Sequence, residues 1–93
     1  MKMVKDYKQM LKELYAALLK LETEKECETF FADLCTIKEL HSMAQRLKAA
    51  KMLLDGKTYH EVIEATDISS ATLARVSKCV RYGDGGYANI LKK

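Results

Sequence analysis

An all-α fold of five to six helices, with a helix-turn-helix in its second half, is what this sequence predicts. Three observations carry that prediction. The chain has no proline and is rich in Leu, Ala, Lys and Glu, residues that lose little on entering a helix. Its apolar residues recur at the three- and four-residue spacings of an amphipathic helix. A helix-start signature, threonine followed three residues later by glutamate, opens at Thr23, Thr36 and Thr58. There is no strand signal and no internal repeat.

The first helix is read from Tyr7, Met10, Leu11, Leu14, Leu18 and Leu21, with Lys8, Lys12, Glu13 and Lys20 on its other faces. At Thr23-Glu24-Lys25-Glu26 a hydroxyl is set to accept from the free amide three residues on while the glutamate reaches back, so a second helix starts there. Its narrow apolar seam is Cys27, Phe30, Phe31 and Leu34. Thr36 and Glu39 repeat the cap and open a third helix, with Ile37, Leu40, Met43, Ala44, Leu47, Ala50 and Leu54 as its expected apolar stripe. Asp55-Gly56 ends it, since glycine takes the left-handed conformation without steric cost. Thr58 to Glu61 caps a short fourth helix that stops near Thr66-Asp67, and Ser69 or Ser70 starts a fifth that runs to about Tyr82. Three glycines in Gly83-Asp84-Gly85-Gly86 then break the helix and leave Tyr87 to Lys93 as a tail or short terminal turn.

At 93 residues the chain fits one domain, and so small a core is marginal without a partner. Hydrophobic residues at 48% and charged residues at 31% exclude collagen-like and broadly disordered classes. Cys27, Cys35 and Cys79 are odd in number and lack C-x-x-C spacing, so neither a disulfide framework nor a structural zinc site is the natural reading. Charge interrupts every apolar run of the opening segment, which gives no signal-peptide core and no membrane span; a cytoplasmic protein is expected. The net charge of +3 is small, but its distribution is uneven. Glu22, Glu24, Glu26, Glu28 and Asp33 face only Lys25 in the second helix, whereas Ile68 to Gly83 holds no acid and carries Arg75, Lys78 and Arg81.

The segment TYHEVIEATDISSATLARV, from Thr58 to Val76, is where residue types and spacing converge on a function. It reads as a helix-turn-helix in which Val62, Ile63, Ile68, Leu73 and Val76 form the apolar wedge between helices. Ser69 or Ser70 caps the second helix. Ser70, Ala71, Thr72 and Ala74 remain outward near its start, small enough to let a helix enter a major groove, where methyls meet thymine and hydroxyls meet base edges or phosphates. Arg75 and Lys78 suit phosphate contact or a ligand, and Thr58 and His60 complete the expected DNA-contacting set. An αα-corner whose hydroxyls merely cap helices is the plain alternative, but packing alone gives no reason to exclude Asp and Glu around the second helix.

The run Thr36…Arg46…Leu53-Leu54…Gly56…Ser70-Ala71-Thr72-Leu73-Ala74-Arg75 resembles the tryptophan repressor superfamily, and the ending Tyr82-Gly83-Asp84-Gly85-Gly86-Tyr87 is similar to its YerC/YecD-type branch. The resemblance covers roughly Tyr7 to Tyr82. It implies an intertwined homodimer in which N-terminal helices interlock and two helix-turn-helix heads face outward to bind double-stranded DNA. That division reads as dimerisation helices over 1–55, a head over 58–82 and a Gly-rich tail over 83–93. It also implies a ligand pocket between Arg46 and Arg75, with Thr36 supplied by the opposite chain and Cys79 at the position of the family's amine-binding serine. The family's glycine beside the ring is Val76 here. Two extra methyls and a thiol in place of a hydroxyl imply an effector other than tryptophan, a small aromatic or anionic molecule.

No ligand pair among the histidines and cysteines has zinc-finger spacing, so His41 and His60 are read as packing or surface residues and no metal or cofactor is expected. Cys79, beside Lys78 and Arg81, is the better redox candidate of the three thiols, though as a minority reading. The glycine-rich ending lacks the lysine of a phosphate-binding loop. With no catalytic constellation, the expected function is a bacterial transcriptional repressor that binds a palindromic operator as a dimer. The competing reading is a dimeric helical interaction module without operator binding.

Overall fold

The computed structural model describes residues 6–93; residues 1–5, which the single-domain expectation includes, lie outside the described residues. Among the described residues the chain forms six helices and no strand. They fall into two compact units, one through Thr36 and one from Ile37 onward.

The first unit holds α1 (Tyr7–Leu18) and α2 (Glu24–Leu34). α1 ends a turn earlier than its apolar spacing suggests, so Leu21 lies in the connection. Thr23 caps α2, its hydroxyl accepting from the Glu26 amide at 3.0 Å. The Glu26 carboxylate reaches one residue past the cap and accepts from the Glu22 amide at 2.8 Å. Phe30 and Phe31 meet edge to face with centroids 5.9 Å apart, a favoured aromatic geometry. Yet neither helix contains a buried residue, and Tyr7, Met10, Tyr15 and Leu34 are exposed.

The second unit is built on α3 (Ile37–Leu54), against which α4 (Tyr59–Thr66), α5 (Ser70–Tyr82) and α6 (Gly86–Leu91) all pack. Its core is Ala49, Ala50, Val62, Ile68, Leu73 and Val76. The expected stripe of α3 needs correction. Ala50 alone of that stripe is buried, Ile37 is 87% exposed, and Leu40 and Leu47 are also exposed. The buried face is instead set by the adjacent alanines Ala49 and Ala50, because small side chains let a neighbouring helix approach closely. Met52 and Leu53 pack beside them.

Local chemistry fixes where these helices begin and end. Gly56, at φ 86°, closes α3 with paired bonds from its own amide to the Leu53 carbonyl and from the Lys57 amide to the Met52 carbonyl, the Schellman arrangement. Thr58 and Glu61 form a full capping box: the Thr58 hydroxyl accepts from the Glu61 amide at 3.1 Å, and the Glu61 carboxylate accepts from the Thr58 amide at 2.9 Å. The segment after α5 is more ordered than a tail. Gly83 passes so close to α5 that a Cβ would lie 2.5 Å from the Cys79 carbonyl oxygen, and Gly85 takes φ 86° to start α6. Tyr87 and Leu91 of α6, four residues apart on one face, then pack against the core. No described helix is long and apolar enough to cross a membrane.

Two outcomes follow from this packing. Leu73→Ala, at a fully buried position, is expected to cost about 2–5 kcal/mol in urea unfolding. The Glu61 carboxyl is held below its ordinary value, first by the Thr58 amide and then by the Thr58 hydroxyl. A depressed carboxyl contributes stability above its unfolded value and loses it as pH falls through the lower, folded one. Thermal melts of Glu61→Gln against wild type should therefore differ at neutral pH and converge in that acid range; a constant gap at all pH would show that the charge is irrelevant.

Candidate nucleic-acid interface and effector cleft

α4, the turn at residues 67–69 and α5 make the helix-turn-helix. Val62, Ile68, Leu73 and Val76 are buried in its wedge and Ile63 is half-buried. The turn is held by side chains as well as by the wedge. Asp67 is left-handed at φ 63°, a conformation Asp tolerates better than most residues. The Thr66 hydroxyl donates to the Val62 carbonyl at 2.8 Å and accepts from the Ile68 amide at 3.2 Å. Gln45 reaches from α3 and donates to the Thr66 carbonyl at 2.9 Å. No sequence motif marks Gln45; a polar residue one turn before the Ala49-Ala50 pair was the only signal.

Ser69 caps α5, its hydroxyl accepting from the Thr72 amide at 3.1 Å and donating to the Thr72 hydroxyl at 2.9 Å. α5 divides into three stripes along its length. Leu73, Val76 and Ser77 are buried. Ser70, Ala71, Ala74, Lys78 and Arg81 are exposed, without an acid among them. Thr72, Arg75 and Cys79 turn toward a cleft instead. Thr72 is thus half-buried and bonded to Ser69, away from the outward row in which the sequence reading placed it. Thr58 and His60 are exposed at the start of α4, and the Thr58 hydroxyl is engaged in its cap.

The cleft measures about 330 Å³. Ser42 and Arg46 come to it from α3, Thr72, Arg75, Val76 and Cys79 from α5, and Tyr87 from α6. Three of the four expected ligand residues, Arg46, Arg75 and Cys79, therefore line one space. Thr36 belongs to the other unit, immediately before α3. Arg46 Nε donates to the Ser42 carbonyl at 3.4 Å, a long bond. Among the described residues, neither Arg46 nor Arg75 pairs with a carboxylate, so the two cations are not there to neutralise acids of the fold. Val76 is only 2% exposed and forms the floor, while Cys79 is exposed. Ser42 and Tyr87 are the lining residues that sequence reasoning missed, and nothing in the sequence marked Ser42. The signal for Tyr87 was its pairing with Leu91 at helical spacing just after a glycine able to restart a helix.

The family model for the Trp repressor protein matches residues 9–93. The Bacillus subtilis (strain 168) protein YerC is 45% identical over 83 residues, covering 89% of this chain and 80% of that protein. A candidate Trp repressor from Staphylococcus aureus has a similar structure, with a TM-score of 0.88 at 39% identity over 97% of this chain and 93% of its own. A TrpR-like protein from Eubacterium eligens ATCC 27750 gives a TM-score of 0.89 at 39% identity, over 95% and 91% of the two chains.

Proposed function

The chain belongs to the Trp repressor protein family, in its YerC-type branch, and on that footing we propose that it is a transcriptional repressor that binds a palindromic operator as a homodimer through its helix-turn-helix. The observation that carries the reading is the outward stripe of α5: small residues at Ser70, Ala71 and Ala74, cations at Lys78 and Arg81, and no carboxylate. A helix so furnished meets base edges with its first turns and phosphates further along. The arrangement suits a polyanion better than a protein partner of mixed charge.

The dimer is supported by where burial is missing. Only six hydrophobic residues make up the core of the described chain, and α1 and α2 contribute none of them. Tyr7, Leu11, Leu14, Leu18, Phe30 and Phe31, together with the exposed Ile37, Leu40 and Leu47 of α3, supply the apolar surface a second copy would cover. Two interlocked copies would then present two heads. The Arg46–Arg75 cleft is the place for an effector, a small aromatic or anionic molecule other than tryptophan, with Thr36 of the opposite copy beside it.

Selection of bound duplexes from a random pool, with and without candidate effectors, tests the reading as a whole. Sedimentation should return twice the 10.6 kDa chain mass; a folded monomer at micromolar concentration would remove the dimer. On the selected site, half-sites should lie about 34 Å apart or a multiple of that. Ser70→Ala should relax preference at particular bases at a cost on the order of 1–3 kcal/mol. Lys78→Ala should weaken every duplex alike and lower the salt slope by roughly one. Equal binding to all duplexes by wild type and both variants would leave only non-specific attraction.

A further inference from the structure

The helix-turn-helix is fastened to α3 in two ways. One is apolar: Val62, Ile68, Leu73 and Val76 pack with Ala49 and Ala50. Burial of this kind is strong but has no direction, so it holds the head on α3 without fixing its tilt. The other is polar and directional. Gln45 on α3 donates from Nε2 to the Thr66 carbonyl at 2.9 Å, across twenty-one residues of chain.

Thr66 is the last residue of α4, and the final carbonyls of a helix have no partner inside it. Gln45 supplies one there, and both residues are half-buried. The bond falls where the chain turns from α4 toward α5. Asp67, next in the chain, is left-handed at φ 63°, in a sparsely populated region that persists where the surroundings hold it. The other side-chain bonds of the turn, Thr66 to Val62 and Ile68 and Ser69 to Thr72, are local; they shape the turn without placing it on α3. A hydrogen bond weakens steeply when bent or stretched, so the bond from Gln45 sets that placement.

Resting on the reading of the chain as a dimeric operator-binding repressor, we infer that Gln45 is a positioning residue. By pinning the turn to α3 it fixes the angle at which each head meets DNA, and so the half-site spacing that the homodimer accepts. It acts without reading a base. One base pair more or less between half-sites rotates the second by about 35° around the duplex. A head free to tilt on α3 absorbs part of that rotation, and a pinned head does not.

Binding of the full chain to selected duplexes, with the half-site spacing kept, lengthened or shortened by one base pair, tests this. Wild type should prefer the selected spacing. Gln45→Met, of similar length without a donor, should lower that preference roughly three- to tenfold, with the salt slope and the affinity for random duplex unchanged. Gln45→Glu should lower it at least as far, since it sets a carboxylate against the carbonyl end of α4. Gln45→Lys should restore it, since an ammonium donates to that end and is favoured there; its added charge strengthens all duplexes alike and cancels in the ratio between spacings. A packing role alone would rank Gln45→Met above Gln45→Lys. If urea unfolding shows that Gln45→Met does not fold, the contrast between Gln45→Lys and Gln45→Glu decides. Wild type indifferent to spacing, Gln45→Met keeping the wild-type preference, or Gln45→Lys doing no better than Gln45→Glu would overturn the role of Gln45 and leave DNA binding through the helix-turn-helix standing. If wild type selects no duplex at all, the repressor reading falls and this inference with it.

Discussion

The approach of α5 to the Ala49-Ala50 pair of α3 is the contact on which the rest of the second unit depends. Both alanines are fully buried, and a larger side chain at either position would overpack the core and push the helices apart. With α5 seated there, Leu73 and Val76 complete the wedge with Val62 and Ile68. Arg46, one turn before Ala49 on α3, is carried to the same cleft as Arg75 on α5. The same packing thus closes the core and forms the cleft between α3 and α5.

A second constraint is that one thirteen-residue helix serves three purposes. Core, cleft and outward surface are interleaved along α5, so neighbouring residues face different tasks: Ala71 outward, Thr72 to the cleft, Leu73 inward. The composition of α5 follows from that interleaving. Acid is absent, since a carboxylate on the outward stripe would repel phosphate and one on the cleft stripe would pair with the arginines. Ser77 is the polar residue that is buried, at 5% exposure, and none of the described buried side-chain polar atoms lacks a hydrogen-bond partner.

Much of this was legible in the sequence because it is written in local chemistry. The caps at Thr23, Thr58 and Ser69, the glycine stop at Gly56 and the wedge residues each depend on neighbours a few positions away, and the structure places them as read. The buried face of α3 was not legible, because periodicity weights large apolar residues, and α3 buries its small ones while Ile37, Leu40 and Leu47 stay exposed. α6 was hidden behind its glycines, which break a helix when considered alone but here restart one, through a left-handed residue that only the packing of Tyr87 and Leu91 justifies. Gln45 was invisible for a similar reason: its partner, the Thr66 carbonyl, lies twenty-one residues away.

The interleaving on α5 has a consequence for regulation. Thr72, Arg75 and Cys79 alternate with Ala71, Ala74 and Lys78 on one stiff helix, so a movement of α5 that widens or narrows the cleft also re-aims the outward stripe. A ligand shifts such an equilibrium only to the extent that it binds one position of α5 better than the other. Arg46 and Arg75 stand on two different helices, so a ligand that touched both would favour one separation of α3 and α5. α6 packs against the same two helices. On the proposed reading, whatever binds the cleft and whatever binds the outward stripe would act on one coordinate, the spacing of α5 from α3.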